Sequence, residues 1–192
     1  MKKKDKKIYR YVLGIDIGGA TRMGVALFDM EEKQLLVHKT IRRIDSKTNL
    51  EHRMRLVNTI NEIRKDYHID VLIFESIRLF SYGRIQMSTI LSLCKVQTTI
   101  INEFSGCFDI YSVDVRSWKS KVLGSAKADK NDAIRQVMHK FPEVNIFDEI
   151  VKPRKKETVI ELNHDLADAI LISQVLKFDS TILQEKNKMN YK

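Results

Sequence analysis

Val71 to Phe74 (VLIF) is a short, wholly apolar run set between two stretches whose apolar residues recur at helical spacing. Such a run is what a strand buried on both faces requires, and a sheet covered by helices on each side provides that burial. The segment therefore points to an α/β architecture. The stretch before it predicts a helix from about Leu50 to Lys65, with Met54, Val57, Ile60 and Ile63 on one face. The stretch after it predicts a helix from about Ile85 to Phe104, with Met87, Ile90, Leu93, Val96, Ile100 and Phe104 spaced for packing.

The remaining elements fit around that strand. Tyr11 to Ile17 (YVLGIDI, closed by Gly18-Gly19), Met23 to Phe28 and Gln34 to Ile41 are apolar β-rich runs joined by short turns, which predicts an antiparallel meander. Ile110 to Val113 is a fifth strand. A helix from Lys130 to Lys140 stops before Pro142, and a last helix runs from His164 to about Phe178, apolar at Leu166, Ile170, Leu171 and Val175. The order β-β-β-α-β-α-β-α-α predicts a five-stranded mixed sheet flanked by helices. A chain of 192 residues with no internal repeat or linker reads as one domain, 1–192. Its appendages are a basic N-terminal arm (1–8), a basic surface insertion (142–163, with Lys152, Arg154, Lys155 and Lys156) and a polar C-terminal tail (180–192).

Charge narrows the partner. Lys and Arg number 34 against 25 acidic residues, a net +9. That excess favours a polyanion, nucleic acid before membrane, because each neutralised phosphate releases a condensed counterion. No apolar run approaches the roughly 18–20 residues of a membrane span. The basic stretch Lys2 to Lys7 is followed by no apolar stretch or cleavage site of a signal peptide. Cys94 and Cys107 lack CxxC spacing and read as buried free thiols of a reducing compartment. The expected location is cytoplasmic, with no membrane partner and no organic cofactor.

Four acids interrupt the apolar pattern. Asp16 lies between Ile15 and Ile17, where a carboxylate is costly unless paired or bound to a cation. Glu75 closes the VLIF strand at its carboxyl end, where open α/β sheets bind ligands. Asp165 and Asp168 are three apart on the last helix and share a face, with Asn163 placed to cap it. Taken singly, Asp16 and Glu75 are also consistent with strand-end pairing, and Asp165 with a first-turn residue favoured by the helix dipole. Asp168, among Leu166, Ala167, Ala169 and Ile170, fits that bland role poorly, and the two alanines allow a close approach to a sheet. If the four converge, repulsion raises some of their pKa values unless a cation intervenes. An all-oxygen set suits Mg²⁺, with Mn²⁺ as substitute, two ions per site, and phosphodiester hydrolysis.

With these motifs in this order, the chain resembles the RuvC family of Holliday-junction resolvases, and its phage-encoded members in particular, over about Tyr11 to Phe178. Gly14-Ile15-Asp16-Ile17-Gly18 with Gly24 and Ala26 resembles the family's first-strand motif. Ile73-Phe74-Glu75 resembles the second acidic motif, and His164-Asp165 with Ala167-Asp168-Ala169 the C-terminal helix motif. Trp118-Lys119 through Ala128-Asp129-Lys130 is similar to the phosphate-contacting region. The resemblance implies an RNase H-like fold and a homodimer that nicks four-way DNA junctions by Mg²⁺-dependent hydrolysis. Asp16, Glu75, Asp165 and Asp168 would be catalytic and metal-binding, and Lys119 and Lys130 catalytic phosphate-neutralising residues.

The expected DNA-facing set is Arg78, Phe80, Tyr82, Arg84, Arg116, Lys119, Lys121, Lys127, Lys130, Arg154, Lys155 and Lys156. Two departures stand out. Arg78 occupies the place of the family's base-unstacking aromatic, leaving Phe80 as the nearest candidate, and the insertion 142–163 is foreign to the compact bacterial form. The long helix ending at Phe104 is a candidate dimer element, though its apolar positions fit a core face equally well. Two other readings are carried forward. The stretch Gly14 to Thr21 also resembles the phosphate loop of sugar kinases and actin-like ATPases, but no second copy appears. A catalytically silent protein that binds branched DNA is the other.

Overall fold

We describe the fold from a computed structural model, which places residues 7–18, 22–77, 87–152 and 157–185. β1 (Tyr11–Asp16), β2 (Arg22–Asp29) and β3 (Gln34–Arg42) form the expected antiparallel meander, with β3 at the exposed edge. α1 (Asn49–Asp66) returns the chain to β4 (Val71–Glu75), which pairs parallel with β1. α2 (Met87–Phe104) then leads to β5 (Asp109–Val113), parallel to β4. The VLIF segment is fully buried, as a strand between two covered faces must be.

Strand alternation divides the core in two. Leu13, Ile15, Val25, Leu27, Leu72, Phe74 and Ile110 pack against α1 and α2. Val12, Ala26, Phe28, Val71, Ile73 and Val113 face the helices that follow, α3 (Val115–Val122), α4 (Lys130–Lys140) and α5 (His164–Ile172). By the same period-two rule Asp16 and Glu75 project towards α5. α5 lies across β1 and β2, and every side chain from Leu166 to Ile172 is buried.

That docking requires two glycines. A Cβ at Gly14 would lie 2.3 Å from the Ala169 carbonyl oxygen, and one at Gly24 would lie 2.1 Å from that of Asp165. Helix backbone therefore rests directly on strand backbone, which brings the start of α5 to the carboxyl ends of β1 and β4.

Several expectations are corrected. The sheet has six strands, in the order β3-β2-β1-β4-β5-β8, because β8 (Leu183–Glu185), within the presumed tail, pairs antiparallel with β5. The insertion is a hairpin of β6 (Phe147–Lys152) and β7 (Glu157–Leu162), where interstrand hydrogen bonds satisfy a backbone that composition reads as loop. α3 was not foreseen, although Asp114 caps it by accepting from the N–H groups of Arg116 and Ser117. The last helix ends at Ile172 and gives way to a 3-10 turn at Val175–Lys177. Met54 and Met87, expected in the core, are exposed, and His52 and Leu56 hold the α1 face instead. Cys94 is half-buried and Cys107 exposed, both as free thiols. No helix among the described residues is long and apolar enough to cross a membrane.

Candidate active site

Register brings the acids to one end of the sheet. Ile15 pairs with Phe74, so Asp16 and Glu75 are the next residues along two adjacent parallel strands. Asp16 also pairs with Gly24, on which the Asp165 carbonyl rests. The four carboxylates line one cleft of about 580 Å³, together with Arg116, Lys119, Lys127, Lys130 and His164. Asp16 and Asp168 are each 9% exposed; Glu75 and Asp165 are half-buried.

Three of the four acids have a hydrogen-bond donor beside them. The Gly18 backbone N–H donates to Asp16 Oδ1 (2.8 Å), the Trp118 indole Nε1 donates to Glu75 Oε1 (2.6 Å), and Arg22 Nε donates to Asp165 Oδ2 (3.2 Å). Trp118 is fully buried, so its N–H needs an internal acceptor, and the hydrogen bond fixes the Glu75 head in return. Gln97 Nε2 holds the Glu75 backbone carbonyl (2.7 Å) and ties α2 to the strand end. Asp168 differs, since its Oδ1 is buried without a hydrogen-bond partner. Leaving such an atom unmet costs roughly 1–3 kcal/mol.

The electrostatics follow from burial and proximity. Burial, then the charges of Glu75, Asp168 and Asp165, push Asp16 well above the usual carboxylate range, against a smaller pull from the Gly18 N–H. Burial likewise raises Glu75, opposed by the Trp118 hydrogen bond and by Lys119. Asp168 is raised to about 7 by burial and by Glu75, with Lys119 and Lys130 acting the other way. The acids thus share one field, and the two lysines sit where they offset it.

Among the described residues no group of three or more His, Cys, Asp or Glu side chains is placed to hold a metal ion. The donor chemistry nonetheless fits a hard divalent cation: the four acids offer only oxygens, and the Asp168 Oδ1 is an acceptor buried at the cleft.

The basic residues expected to face DNA separate into groups. Arg116, Lys119, Lys127 and Lys130 line the cleft, and Lys119 Nζ donates to the Ala128 carbonyl at 3.2 Å. Lys121 is paired with Asp179 (3.1 Å) and is not among the cleft-lining residues. Arg78, Phe80, Tyr82, Arg84, Arg154, Lys155 and Lys156 lie outside the described residues. Three contributors were missed by sequence reading. Trp118 stands in the motif that resembles the phosphate-contacting region, but its contact with Glu75, 43 residues away, and that of Arg22 with Asp165, 143 residues away, are announced by no local pattern. His164, the first residue of the C-terminal helix motif, lines the cleft beside Asp165 and Asp168. Arg22 also forms an ion pair with buried Asp148 of the hairpin, which Arg42 reaches as well, so the insertion is tied to the site through Arg22.

A mixed sheet in this order, helices on both faces and acids at the carboxyl end of its central strands define an RNase H-like fold. Solved structures of RuvC share this fold. The Thermus thermophilus RuvC structure matches with a TM-score of 0.62 at 17% identity, over 92% of this chain and 99% of that one. T. thermophilus RuvC in complex with Holliday junction substrate matches with a TM-score of 0.64 at 16% identity, over 93% and 100%. The yeast mitochondrial Holliday junction resolvase Ydc2 gives 0.52 at 17% identity, over 89% and 80%. No family model matches the chain, and no curated protein matches it by sequence.

Proposed function

We propose that this protein is a structure-selective endonuclease that resolves Holliday junctions or other branched DNA by divalent-metal-dependent phosphodiester hydrolysis. The observation that carries the reading is the meeting of Asp16, Glu75, Asp165 and Asp168 in one basic-walled cleft. The fold supports it, since T. thermophilus RuvC, which it matches, has a structure with Holliday junction substrate.

In this reading Asp16, Glu75, Asp165 and Asp168 would hold two Mg²⁺ ions, with Mn²⁺ as a substitute. The chemistry supplied by such ions would be Lewis acidity at the scissile phosphate and a lowered pKa for the attacking water. The chain's own residues do the rest. Trp118, Gly18 and Arg22 keep three of the carboxylates oriented. Lys119 and Lys130 place positive charge beside the phosphate, where point charges suffice to offset the developing negative charge. Arg116 and Lys127 extend the basic wall along the strand. The protein acts as a homodimer, and the exposed apolar residues Leu50, Met54, Met87 and Leu91 on the contacting helices α1 and α2 provide surface for a second copy.

Asp16→Asn tests the site. Losing a partner of a ligand typically costs 10–100-fold in metal affinity or activity, so losing a ligand should lower junction cleavage by at least ~100-fold. Junction binding, measured by gel shift in Ca²⁺, should stay within a few-fold of wild type. Cleavage at the wild-type rate would remove Asp16 from the mechanism; loss of cleavage with intact binding excludes the silent DNA-binding alternative for the wild-type chain.

A further inference from the structure

Ile17 and Leu93 line the carboxylate cleft and also a second cavity of about 220 Å³ between the start of α1 and the first half of α2. Its polar lining is Arg43, Asn49, His52, Arg53, Thr89 and Ser92 with Ser88, and it contains no carboxylate. His52 is 8% exposed, yet both ring nitrogens are buried without a hydrogen-bond partner, as is Arg53 Nε. An imidazole so enclosed and so unsatisfied is rare in a folded protein. Asn49 Oδ1 already accepts from Arg43 Nε (3.2 Å), which orients the amide. Burial, with Arg43 and Arg55, holds the His52 ring below its ordinary pKa, so the arginines carry the charge.

Two guanidinium groups, an imidazole and hydroxyls around a small cavity call for a compact anion with several acceptor atoms. A phosphate has that shape, and arginine is well matched to it. Position identifies its source, because Ile17 follows metal-site candidate Asp16 directly and belongs to both cavities. We propose that this cavity is a phosphate subsite, seating a backbone phosphate of the bound DNA close to the one that is cut. The proposal rests on the nuclease reading and extends it by giving the strand a second anchoring point. Its occupant fixes register along the backbone and carries no base information.

The test moves a single neutral methylphosphonate along the cleaved strand of a four-way junction, on both sides of the cut. At one position wild type should lose about ten-fold in affinity, the usual scale for a charge-assisted hydrogen bond. Arg53→Gln, already weaker, should lose nothing more there, and Arg53→Lys should keep part of the penalty. If Arg53→Gln does not fold, Arg43→Gln takes its place. Equal penalties in wild type and variant at every position overturn the subsite. If wild type neither binds nor cuts branched DNA, the nuclease reading fails, and inorganic phosphate then decides the cavity alone. A saturable shift of the His52 ring resonances, lost in Arg53→Gln, retains a phosphate site; an unmoved resonance removes it.

Discussion

At the scale of single residues, Asp168 is an acid whose placement is costly for the fold and useful for a site. Its carboxyl is buried on α5 with Oδ1 unpartnered, and burial with Glu75 nearby raises its pKa from 3.8 to about 7. The folded state therefore holds a proton that the unfolded state has released between these values. Stability falls as pH rises through that window and levels off above it. Asp168→Asn removes the penalty. In EDTA at pH 8 the variant should be more stable than wild type by up to about 4 kcal/mol, at 1.36 kcal/mol per unit of pKa. The gain should shrink below pH 7 and vanish near pH 4, as read from urea unfolding. Excess Mg²⁺ should stabilise wild type more than the variant, as the proposed binding of the ion by the native carboxylates requires. A variant less stable than wild type at pH 8 would contradict this account of Asp168.

Among the elements, the contact of α5 with β1 and β2 decides whether the site exists. Gly24→Ala would set a methyl group about 2 Å from the Asp165 carbonyl, and backbone cannot give way as a side chain does. The expected loss is about 3 kcal/mol or more, with cleavage lost as well. Gly106→Ala, where a Cβ meets nothing within 4 Å, should show no such clash and serves as the control. Thermal and urea unfolding of the two variants check this. The same elements show what a sequence makes legible. Asp16, Glu75 and Asp168 stand out because an acid inside an apolar run violates a local pattern, and the meander and α4 follow from runs and caps of the expected kind. β8 is three residues long, too short for periodicity to register, and the pairing with β5 defines it. The hairpin hides behind its charges: Asp148 reads as a loop residue but is buried against Arg22 and Arg42, partners more than a hundred positions away. Trp118 and Arg22 have the same character, since their purpose lies wholly in tertiary contacts.

For the whole molecule, the account joins a net charge of +9 to a cleft that gathers acids within basic walls. The long-range field draws in a polyanion, while the local field at the carboxylates repels one unless cations are shared between protein and DNA. Affinity for DNA and cleavage of DNA should therefore separate cleanly with metal. The most direct measurement is cleavage of four-way, three-way, flap and linear duplex DNA, with and without Mg²⁺, mapped at nucleotide resolution. The account predicts cuts confined to branched substrates, at symmetric positions in the four-way junction, and none in EDTA. Cutting of linear duplex as fast as junction, or phosphorylation driven by ATP with no DNA cut at all, would contradict it.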